Sequence, residues 1–372
     1  MRVLHILDSL NRGGAEVLAL DLCRNARACG LELTFVATGG GDLEDDFRRS
    51  GADFIRLRRE LPVDLNVAAS LGEIVRGRNV EVVHCHQAVE ALHACLATSG
   101  TAVRRVLSFH LCSADAKNRL ALKLLAPRMD ANVAVSRDLL ACLAREAGFD
   151  TGRNFHVVYN GVDARRLAPA ADAPRLRDEL SLGPEDLLFG MVGNFYADAR
   201  KDQLTACRAL PRLFGAVPRS RFVFVGGTPA GASSRPYDEC VDFCREQGIE
   251  GRVRFLGKRD DVPSVLASLD VFVLSSRADT FGVAAVEAMM AGVPAVLSDI
   301  GPLREVSNDG ECAALFRTGD AEDLARVLVA LAVDADARAG LAAGAREWAA
   351  RRFSIEAHVA ALKELYERLT AR

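Results

Sequence analysis

The chain has 372 residues, 50% of them hydrophobic, and its 47 basic and 50 acidic residues leave a formal net charge of −3. This balance excludes a disordered chain and disfavours a nucleic-acid-binding protein. The length predicts two domains of roughly 170 residues each, which we expect to bind small molecules.

The cysteines and the apolar segments bear on the cellular location. Ten cysteines are spaced irregularly and include no Cys-x-x-Cys pair, so we predict reduced, mostly buried thiols. The first apolar run reads as a strand and not as a signal peptide, and no run of about 18 apolar residues follows it. We therefore expect a cytoplasmic protein that neither spans a membrane nor is exported.

Short apolar runs alternate with helical patterns in the first half of the chain. Strands are predicted at residues 3–7, 33–37, 80–84, 106–109, 131–135 and 157–159, and helices at 15–28, 88–98, 117–125 and 137–147. This alternation predicts a parallel sheet covered on both faces. Residues 160–184 hold three prolines and no clear strand, so the linker between the domains is placed there.

The alternation restarts after the linker. Strands are predicted at residues 187–192, 222–225, 253–256, 271–274, 295–297 and 313–316, and helices at 203–214, 237–247, 262–268 and 284–291. The tail from residue 321 is helical and ends in an amphipathic helix at 355–369. The predicted organisation is therefore α/β: a domain at 1–165, a linker at 166–184, a second domain at 185–352 and a C-terminal helix at 353–372.

The segment 275–294, SSRADTFGVAAVEAMMAGVP, places a lone carboxylate, Glu287, in an apolar helix. Burying an unpaired carboxylate is costly, so we expect a hydrogen-bond donor for it, either elsewhere in the fold or on a ligand such as a ribose diol. Asp279 precedes the helix. The backbone amides of Thr280, Phe281 and Gly282 open it, and they predict an anion site at its start.

Two further segments follow predicted strands. Gly13-Gly14 lies between the first strand and the first helix, where a diglycine either lets the backbone approach a phosphate or makes a tight turn. Arg200 and Lys201 follow the strand at 187–192, at the edge where open α/β sheets bind ligands. These cations either neutralise a diphosphate or are solvated.

Three motifs carry weaker signals. Gly257-Lys258 either flanks a base or turns the chain. His86 and His110 end neighbouring strands, so each is either a ligand for a sugar hydroxyl or a structural histidine. His84 and His86 lie on one face of a strand, but no third ligand is nearby, which argues against a metal site.

In this order the segments resemble a family-4 glycosyltransferase with the GT-B architecture of two Rossmann-like domains. The resemblance covers nearly the whole chain and is strongest over residues 251–323, in RVRFLGKRDDV, LDVFVLSSRADTFGVAAVEAMMAGVPAVLSDIGPLREV and GDAEDLA. It implies a donor site in the cleft between the domains and a C-terminal helix that crosses back to the first domain.

The resemblance also implies residue roles. The family's E-x7-E motif falls on Asp279 and Glu287, with Glu287 on the ribose hydroxyls. Lys201 matches the lysine on the donor diphosphate, and His110 the histidine near the transferred sugar. The implied catalytic residues are His110, Lys201, Asp279 and Glu287; the acceptor side has His86 and His110; and the donor-binding residues are Gly13, Gly14, Asn194, Arg200, Lys201, Gly257, Lys258, Asp279, Thr280, Phe281, Gly282, Val283 and Glu287.

Two positions depart from the family pattern. Asp279 is one methylene shorter than the usual glutamate, which bears on donor choice or geometry. Asn194 stands where the family has an arginine for the diphosphate. Arg200 as a replacement for that arginine is a hypothesis.

The implied function is transfer of a sugar, with retention, from a nucleotide-diphosphate sugar to an acceptor hydroxyl on a glycan, a lipid-linked sugar or a small molecule. No metal and no cofactor is expected. A nucleotide-sugar epimerase and a non-catalytic partner subunit are the alternatives, while a dehydrogenase is disfavoured because no Gly-x-Gly-x-x-Gly follows a strand. The basic segments 56–59 and 104–105 either contact an anionic membrane at its inner face or are solvated.

Overall fold

The computed structural model describes residues 1–112, 116–169, 176–228 and 233–371. They form two compact units, an amino-terminal unit of Met1–Val162 with Phe353–Arg372 and a carboxyl-terminal unit of Asp163–Arg352. Part of the predicted linker, residues 170–175, lies outside the described residues.

The amino-terminal unit is built on a seven-stranded parallel sheet in the order β3-β2-β1-β4-β5-β6-β7. Its strands are β1 (Arg2–Leu7), β2 (Glu32–Ala37), β3 (Asp53–Arg56), β4 (Val82–Cys85), β5 (Arg104–Phe109), β6 (Ala131–Ala134) and β7 (Phe155–Val157). The sequence did not predict β3, a short edge strand that is at most partly buried and lacks an apolar run. The predicted strand at 157–159 lies two residues earlier.

Helices connect these strands: α1 (Gly14–Asn25), α2 (Glu44–Arg48), α3 (Leu65–Gly77), α4 (Ala88–Ala97), α5 (Ala116–Leu125) and α6 (Arg137–Arg145), with a 3-10 turn at Ala126–Arg128. Neither α2 nor α3 was predicted. Helix α3 begins after Asp64, a residue type that is favoured at the N-cap position. The Asp64 side chain accepts hydrogen bonds from the amides of Asn66 and Val67.

The carboxyl-terminal unit has a six-stranded parallel sheet in the order β10-β9-β8-β11-β12-β13. The strands are β8 (Leu187–Val192), β9 (Ser220–Val225), β10 (Val253–Phe255), β11 (Val271–Leu274), β12 (Ala295–Ser298) and β13 (Ala314–Phe316). The chain proceeds outward in opposite directions from β8 and from β11. The carboxyl ends of these two strands are therefore where such a sheet binds its ligand.

A 3-10 helix at Ala164–Leu167 starts this unit, and its helices are α7 (Leu176–Glu179), α8 (Gln203–Ala216), α9 (Arg235–Glu246), α10 (Val262–Ser268), α11 (Val283–Met290), α12 (Gly301–Val306), α13 (Ala321–Val333) and α14 (Ala335–Phe353). The bounds of β8, β11 and α10 are those predicted from the sequence. Short buried strands alternating with helices leave little freedom in where each element begins and ends.

The last helix, α15 (Ile355–Thr370), packs against α1 in the amino-terminal unit. Ser354 caps it by accepting a hydrogen bond from the amide of Ala357. Its buried face, including Val359, Leu362 and Tyr366, joins the core beneath β1 and β2. The return of this helix to the first domain and the fold of two Rossmann-like parallel-sheet domains are both confirmed.

Candidate active site

Glu287 lies on α11 with its side chain only 12% exposed, as the apolar run around it predicted. Its donor is Arg166, whose Nη2 donates to Oε1 over 2.6 Å. Arg166 belongs to the 3-10 helix at Ala164–Leu167. Sequence analysis missed it because the segment carried only the signals of a linker. The predicted need for a donor is therefore met within the chain, while no described residue is hydrogen-bonded to Oε2.

The start of α11 requires a glycine. Gly282 caps the helix with φ +93°, and a Cβ there would lie 2.5 Å from Cδ2 of Leu303. A side chain at this position would meet both backbone strain and a clash. Gly282 therefore fixes how the chain enters the helix that carries Glu287.

Asp279 and Lys201 form an ion pair at the carboxyl ends of β11 and β8. Lys201 Nζ donates to Asp279 Oδ2 over 2.5 Å, and Oδ1 accepts from the amides of Thr280 at 2.8 Å and Phe281 at 3.3 Å. Burial by itself raises the pKa of Asp279. Lys201 and the two amides together lower that pKa by more than burial raises it, so the net pKa is below its usual value. Asp279 is thus an anion already held at the helix start.

This contact corrects one expectation. Two of the amides predicted to face an external anion, those of Thr280 and Phe281, donate to Asp279. In the part of the chain that the structure describes, the next two amides, those of Gly282 and Val283, donate no hydrogen bond. The amides left to donate to an anion at the start of α11 are therefore those of Gly282 and Val283, and an anion site there stays a prediction.

Arg200 pairs with a different carboxylate from Lys201. Its guanidinium is 44% exposed, pairs with Asp198 at 2.6 Å and stacks over the ring of Tyr196. Asn194, where the family has an arginine, accepts a hydrogen bond from the amide of Gly227 through Oδ1 at 3.2 Å. Asn194 therefore joins the loops after β8 and β9.

The loop after β10 is tied to the same edge of the sheet. The carbonyl of Gly257 accepts from the amide of Gly226 over 2.8 Å, and Gly257 itself has φ +63°. Lys258 follows next to Gly227. The predicted donor-binding residues of this unit thus lie in the loops that follow β8, β10 and β11 and on α11.

Gly13 and Gly14 lie at the start of α1 in the amino-terminal unit. Gly13 is the extended cap residue and Gly14 the first helical residue, without a side-chain cap. The first turn carries Glu16, whose pKa is raised mainly by burial. The strand–diglycine–helix arrangement is as predicted, and the phosphate role of these glycines stays a prediction.

His86 and His110 do lie together, with His86 Nδ1 3.0 Å from His110 Nε2. The other ring nitrogen of His86 bonds to His5 at 3.1 Å, so both nitrogens of His86 are engaged. No described residue is hydrogen-bonded to Nδ1 of His110. Sequence analysis missed His5 and the C-terminal Tyr366, which bonds to it at 3.1 Å.

The prediction that the cysteines are reduced is wrong for one pair. Cys112 and Cys142 form a disulfide, while the other eight cysteines are thiols. Among the described residues, these two cysteines and Glu146 are the potential metal ligands that come close together, and the disulfide engages both sulfurs. The pairing joins the segment after β5 to α6, a contact that sequence spacing does not show.

Two Rossmann-like units, with acids and a lysine at the carboxyl ends of strands, are the features that the resemblance to a two-domain glycosyltransferase implied. The Glycosyltransferase Family 4 model matches residues 12–166 and the Glycosyl transferases group 1 model matches residues 186–334. These matches span both units. The chain therefore belongs to the family-4 glycosyltransferases, which confirms the resemblance.

Curated relatives share the family at low identity. The chain is 26% identical over 314 residues to N-acetyl-alpha-D-glucosaminyl L-malate synthase of Bacillus anthracis, covering 82% of this chain and 79% of that one. It is 29% identical over 302 residues to the lipopolysaccharide core biosynthesis mannosyltransferase LpsB of Rhizobium meliloti, covering 79% and 81%.

Among solved structures, HepE of Anabaena in complex with UDP and glucose superposes with a TM-score of 0.83 at 22% identity, covering 98% of this chain and 99% of that one. A Rickettsia africae glycosyltransferase reaches a TM-score of 0.84 at 17% identity, with 99% and 98% covered. These likenesses show the fold.

Proposed function

We propose that this glycosyltransferase moves a sugar, with retention of its anomeric configuration, from a nucleotide-diphosphate sugar to an acceptor hydroxyl. The observation that carries the proposal is the pair of carboxylates on and before α11, each held by a cation of the same unit: Asp279 by Lys201 and Glu287 by Arg166. We include in the proposal that neither a metal ion nor a cofactor takes part.

Donor binding follows from what these groups leave available. Arg166 engages only Oε1 of Glu287, so Oε2 can accept a hydrogen bond from a ribose hydroxyl. The amides of Gly282 and Val283, at the positive end of α11, can donate to a diphosphate oxygen. HepE, which has the same fold, is complexed with UDP and glucose, which supports a nucleotide-sugar donor.

The chemistry needs stabilisation of the leaving group. When the bond from the anomeric carbon to the diphosphate oxygen breaks, negative charge develops on the diphosphate, and Lys201 and the helix amides offset it. The acceptor oxygen then bonds to the same face of the anomeric carbon, and its proton passes to the departing phosphate. Neither Asp279 nor Glu287 is proposed as the nucleophile, because each is already bound to a cation.

The test combines binding and product analysis. A panel of nucleotide sugars is screened by thermal shift, since a ligand that binds the native state raises its melting temperature. The best donor is then incubated with candidate acceptors, and the product is examined by NMR. An inverted product contradicts retention, a new isomer formed from donor alone indicates an epimerase, and donor binding without turnover under any acceptor indicates a partner subunit.

The acceptor side includes a proposed membrane contact. Three of the arginines first suggested for it are occupied: Arg59 pairs with Asp8 at 2.7 Å, and Arg104 and Arg105 with Asp130 at 3.0 and 4.0 Å. No helix among the described residues is long and apolar enough to cross a bilayer.

Helix α5 offers a better surface, which we define as Lys117, Arg119, Leu120, Lys123 and Leu124. All five side chains are exposed. Leucines among cations suit the headgroup region of an anionic membrane. We expect sedimentation with phosphatidylglycerol vesicles but not with phosphatidylcholine vesicles, and loss of binding in Leu120→Ser/Leu124→Ser. Equal recovery with both vesicle types would refute the contact.

A further inference from the structure

Six side chains in the core of the amino-terminal unit form one unbranched chain of hydrogen bonds. Its five links are Ser108 Oγ to His84 Nε2 (2.7 Å), His84 Nδ1 to Tyr366 Oη (2.5 Å), Tyr366 Oη to His5 Nε2 (3.1 Å), His5 Nδ1 to His86 Nε2 (3.1 Å) and His86 Nδ1 to His110 Nε2 (3.0 Å). We call this series the histidine relay. It starts on β5, passes through α15 and ends at the predicted sugar-binding histidine.

The relay is dry apart from its last member. Its other five side chains are at most 9% exposed, whereas His110 is partly exposed. The cavity that the rings line has a volume of about 10 Å³, room for one water molecule at most. The polar atoms of the relay therefore depend on one another for their hydrogen bonds.

Each histidine of the relay is neutral at pH 7. Burial lowers the pKa of His5 to about 3 and that of His110 to about 4, and it holds the pKa of His84 and His86 well below the usual value. Each ring thus carries one N–H, and Tyr366 and Ser108 each carry one O–H. Six N–H and O–H protons are therefore available for the five hydrogen bonds of the relay.

One proton is therefore left over, and it is at an end of the relay when all links run in one direction. If every link donates in the direction from Ser108 towards His110, the spare proton is on Nδ1 of His110. If every link is reversed, the spare proton is on Oγ of Ser108. A neutral histidine donates once and accepts once, so a change of direction at a histidine leaves a hydrogen bond unmade. At Tyr366, whose oxygen can accept from both neighbouring rings, a change of direction instead leaves a buried O–H without an acceptor.

The two ends of the relay differ in whether the spare proton can find a hydrogen-bond acceptor. Ser108 is buried, and among the described residues His84 is the only hydrogen-bond partner of its hydroxyl. Nδ1 of His110 belongs to a partly exposed ring without a described partner, so a proton there can reach water or a ligand. Because a buried donor without an acceptor is unfavourable, the links run from Ser108 to His110.

We propose that the histidine relay holds His110 in the Nδ1–H tautomer, which makes His110 a fixed hydrogen-bond donor to a sugar hydroxyl and not a general base. The identity of the ligand rests on the proposed function, whereas the tautomer follows from the core alone. His86, His5, Tyr366 and Ser108 are then positioning residues that act through His110.

One further titratable group faces the relay. His358 on α15 lowers the pKa of His5 and of His110 by repulsion, in addition to the effect of burial. Its own Nδ1 lies 2.7 Å from the carbonyl of Tyr159, so it donates there, and burial lowers its pKa to about 4. His358 is thus a neutral histidine next to the relay. Its tautomer is fixed by the carbonyl of Tyr159 and not by the relay.

The tautomers can be read from long-range ¹H–¹⁵N NMR spectra of the full-length, ligand-free enzyme labelled at histidine. We expect Nδ1–H on His5, His84, His86 and His110. Ser108→Ala leaves Nε2 of His84 without a partner whichever way the links run, and Tyr366→Phe does the same to Nε2 of His5. Each variant therefore removes the preference for one direction, and we expect Nε2–H to appear on part of the His110 rings. Leu362→Met is the matched control, because it alters the same cavity wall without a polar group and should leave the tautomers unchanged.

Two results overturn the relay: Nε2–H on His110 in the unmodified enzyme, or an unchanged His110 tautomer in both Ser108→Ala and Tyr366→Phe. Transfer assays separate the relay from the proposed function. We expect kcat/KM for the donor to fall about tenfold in the two variants, as for loss of one hydrogen bond. A changed tautomer with unchanged transfer refutes the part of His110 in sugar binding and supports the relay.

Discussion

Arg166 and Glu287 meet over 2.6 Å with 23% and 12% of their side chains exposed, so the carboxylate predicted to bind ribose is already paired inside its own unit. The two residues are separated by 121 positions in the chain. The pairing holds the carboxylate of Glu287 in place and leaves its Oε2 to accept a hydrogen bond, which is what recognition of a hydroxyl requires.

Arg166→Ala should therefore lower the free energy of unfolding by about 1–3 kcal/mol, because it leaves a largely buried carboxylate without its donor. Urea unfolding at pH 7 measures the loss. Adding Glu287→Gln should recover part of it by removing the charge. Arg245→Ala is the control, since Arg245 and its partner Asp242 are 66% and 59% exposed and their pair should contribute less than about 1 kcal/mol. Equal losses in the two arginine variants would contradict the buried pair.

Lys201 and Arg200 are adjacent but should differ in their effect on transfer. Lys201→Ala should lower kcat/KM by about 100- to 1000-fold if its ammonium stabilises the leaving diphosphate. Arg200→Ala should cost less than about tenfold, because its guanidinium is exposed and held by Asp198. Initial rates with the identified donor, together with melting temperatures to confirm folding, decide the matter. Comparable losses would show that Arg200 replaces the arginine that the family has at position 194.

The buried histidines should make stability fall with acid. The pKa values of His5, His110 and His358 drop from 6.5 to about 3, 4 and 4, so between about pH 6.5 and 4 the unfolded chain binds more protons than the native one. The free energy of unfolding then decreases as the pH falls, by up to about 1.4 kcal/mol per pH unit for each histidine.

Glu90 acts in the opposite sense over the same range. Burial raises the pKa of Glu90 from 4.5 to about 7, which offsets the contribution of one histidine to the pH dependence of the free energy of unfolding. Urea unfolding at pH 7, 6 and 5 measures the net slope, and His358→Gln should reduce that slope by one proton. The carboxyl groups with lowered pKa, such as Asp279, lose their contribution only at lower pH. A flat profile between pH 6.5 and 5 would rule out the neutral histidine core.

The disulfide can be tested by counting the free thiols of the denatured enzyme. Denatured enzyme should show eight free thiols before reduction and ten after it. Cys142→Ser should lower the free energy of unfolding by about 3 kcal/mol, the loop-closure effect expected for a sequence separation of 30 residues. Cys95→Ser, which alters a partly buried free thiol, is the control and should change stability much less. Ten thiols without reductant would show that the pair is open.

Much of the architecture could be predicted because it is encoded locally. The strands β8 and β11 and the helix α10 begin and end where the sequence pattern placed them, since short apolar runs flanked by helical periodicity allow few alternatives. Strand β3 and helices α2 and α3 were missed. The edge strand β3 is short and partly exposed, so it leaves only a weak hydrophobic signal.

The site shows the same division. The lone carboxylate at Glu287, the acid at Asp279 and the glycine at position 282 were visible in one segment of sequence, and so was the need for a donor to Glu287. Which donor meets that need was not, because Arg166 reaches Glu287 only after the linker segment folds onto α11.

The sequence by itself determined the alternation of most strands and helices, the family and the candidate ligand residues, because periodicity and short motifs act within one element or between neighbours. Only the tertiary structure decided the partners: Arg166 for Glu287, Cys142 for Cys112, and Tyr366 between His5 and His84. These contacts join residues that are 121, 30, 361 and 282 positions apart. Sheet order and helix packing bring such residues together, and local sequence patterns do not indicate these contacts.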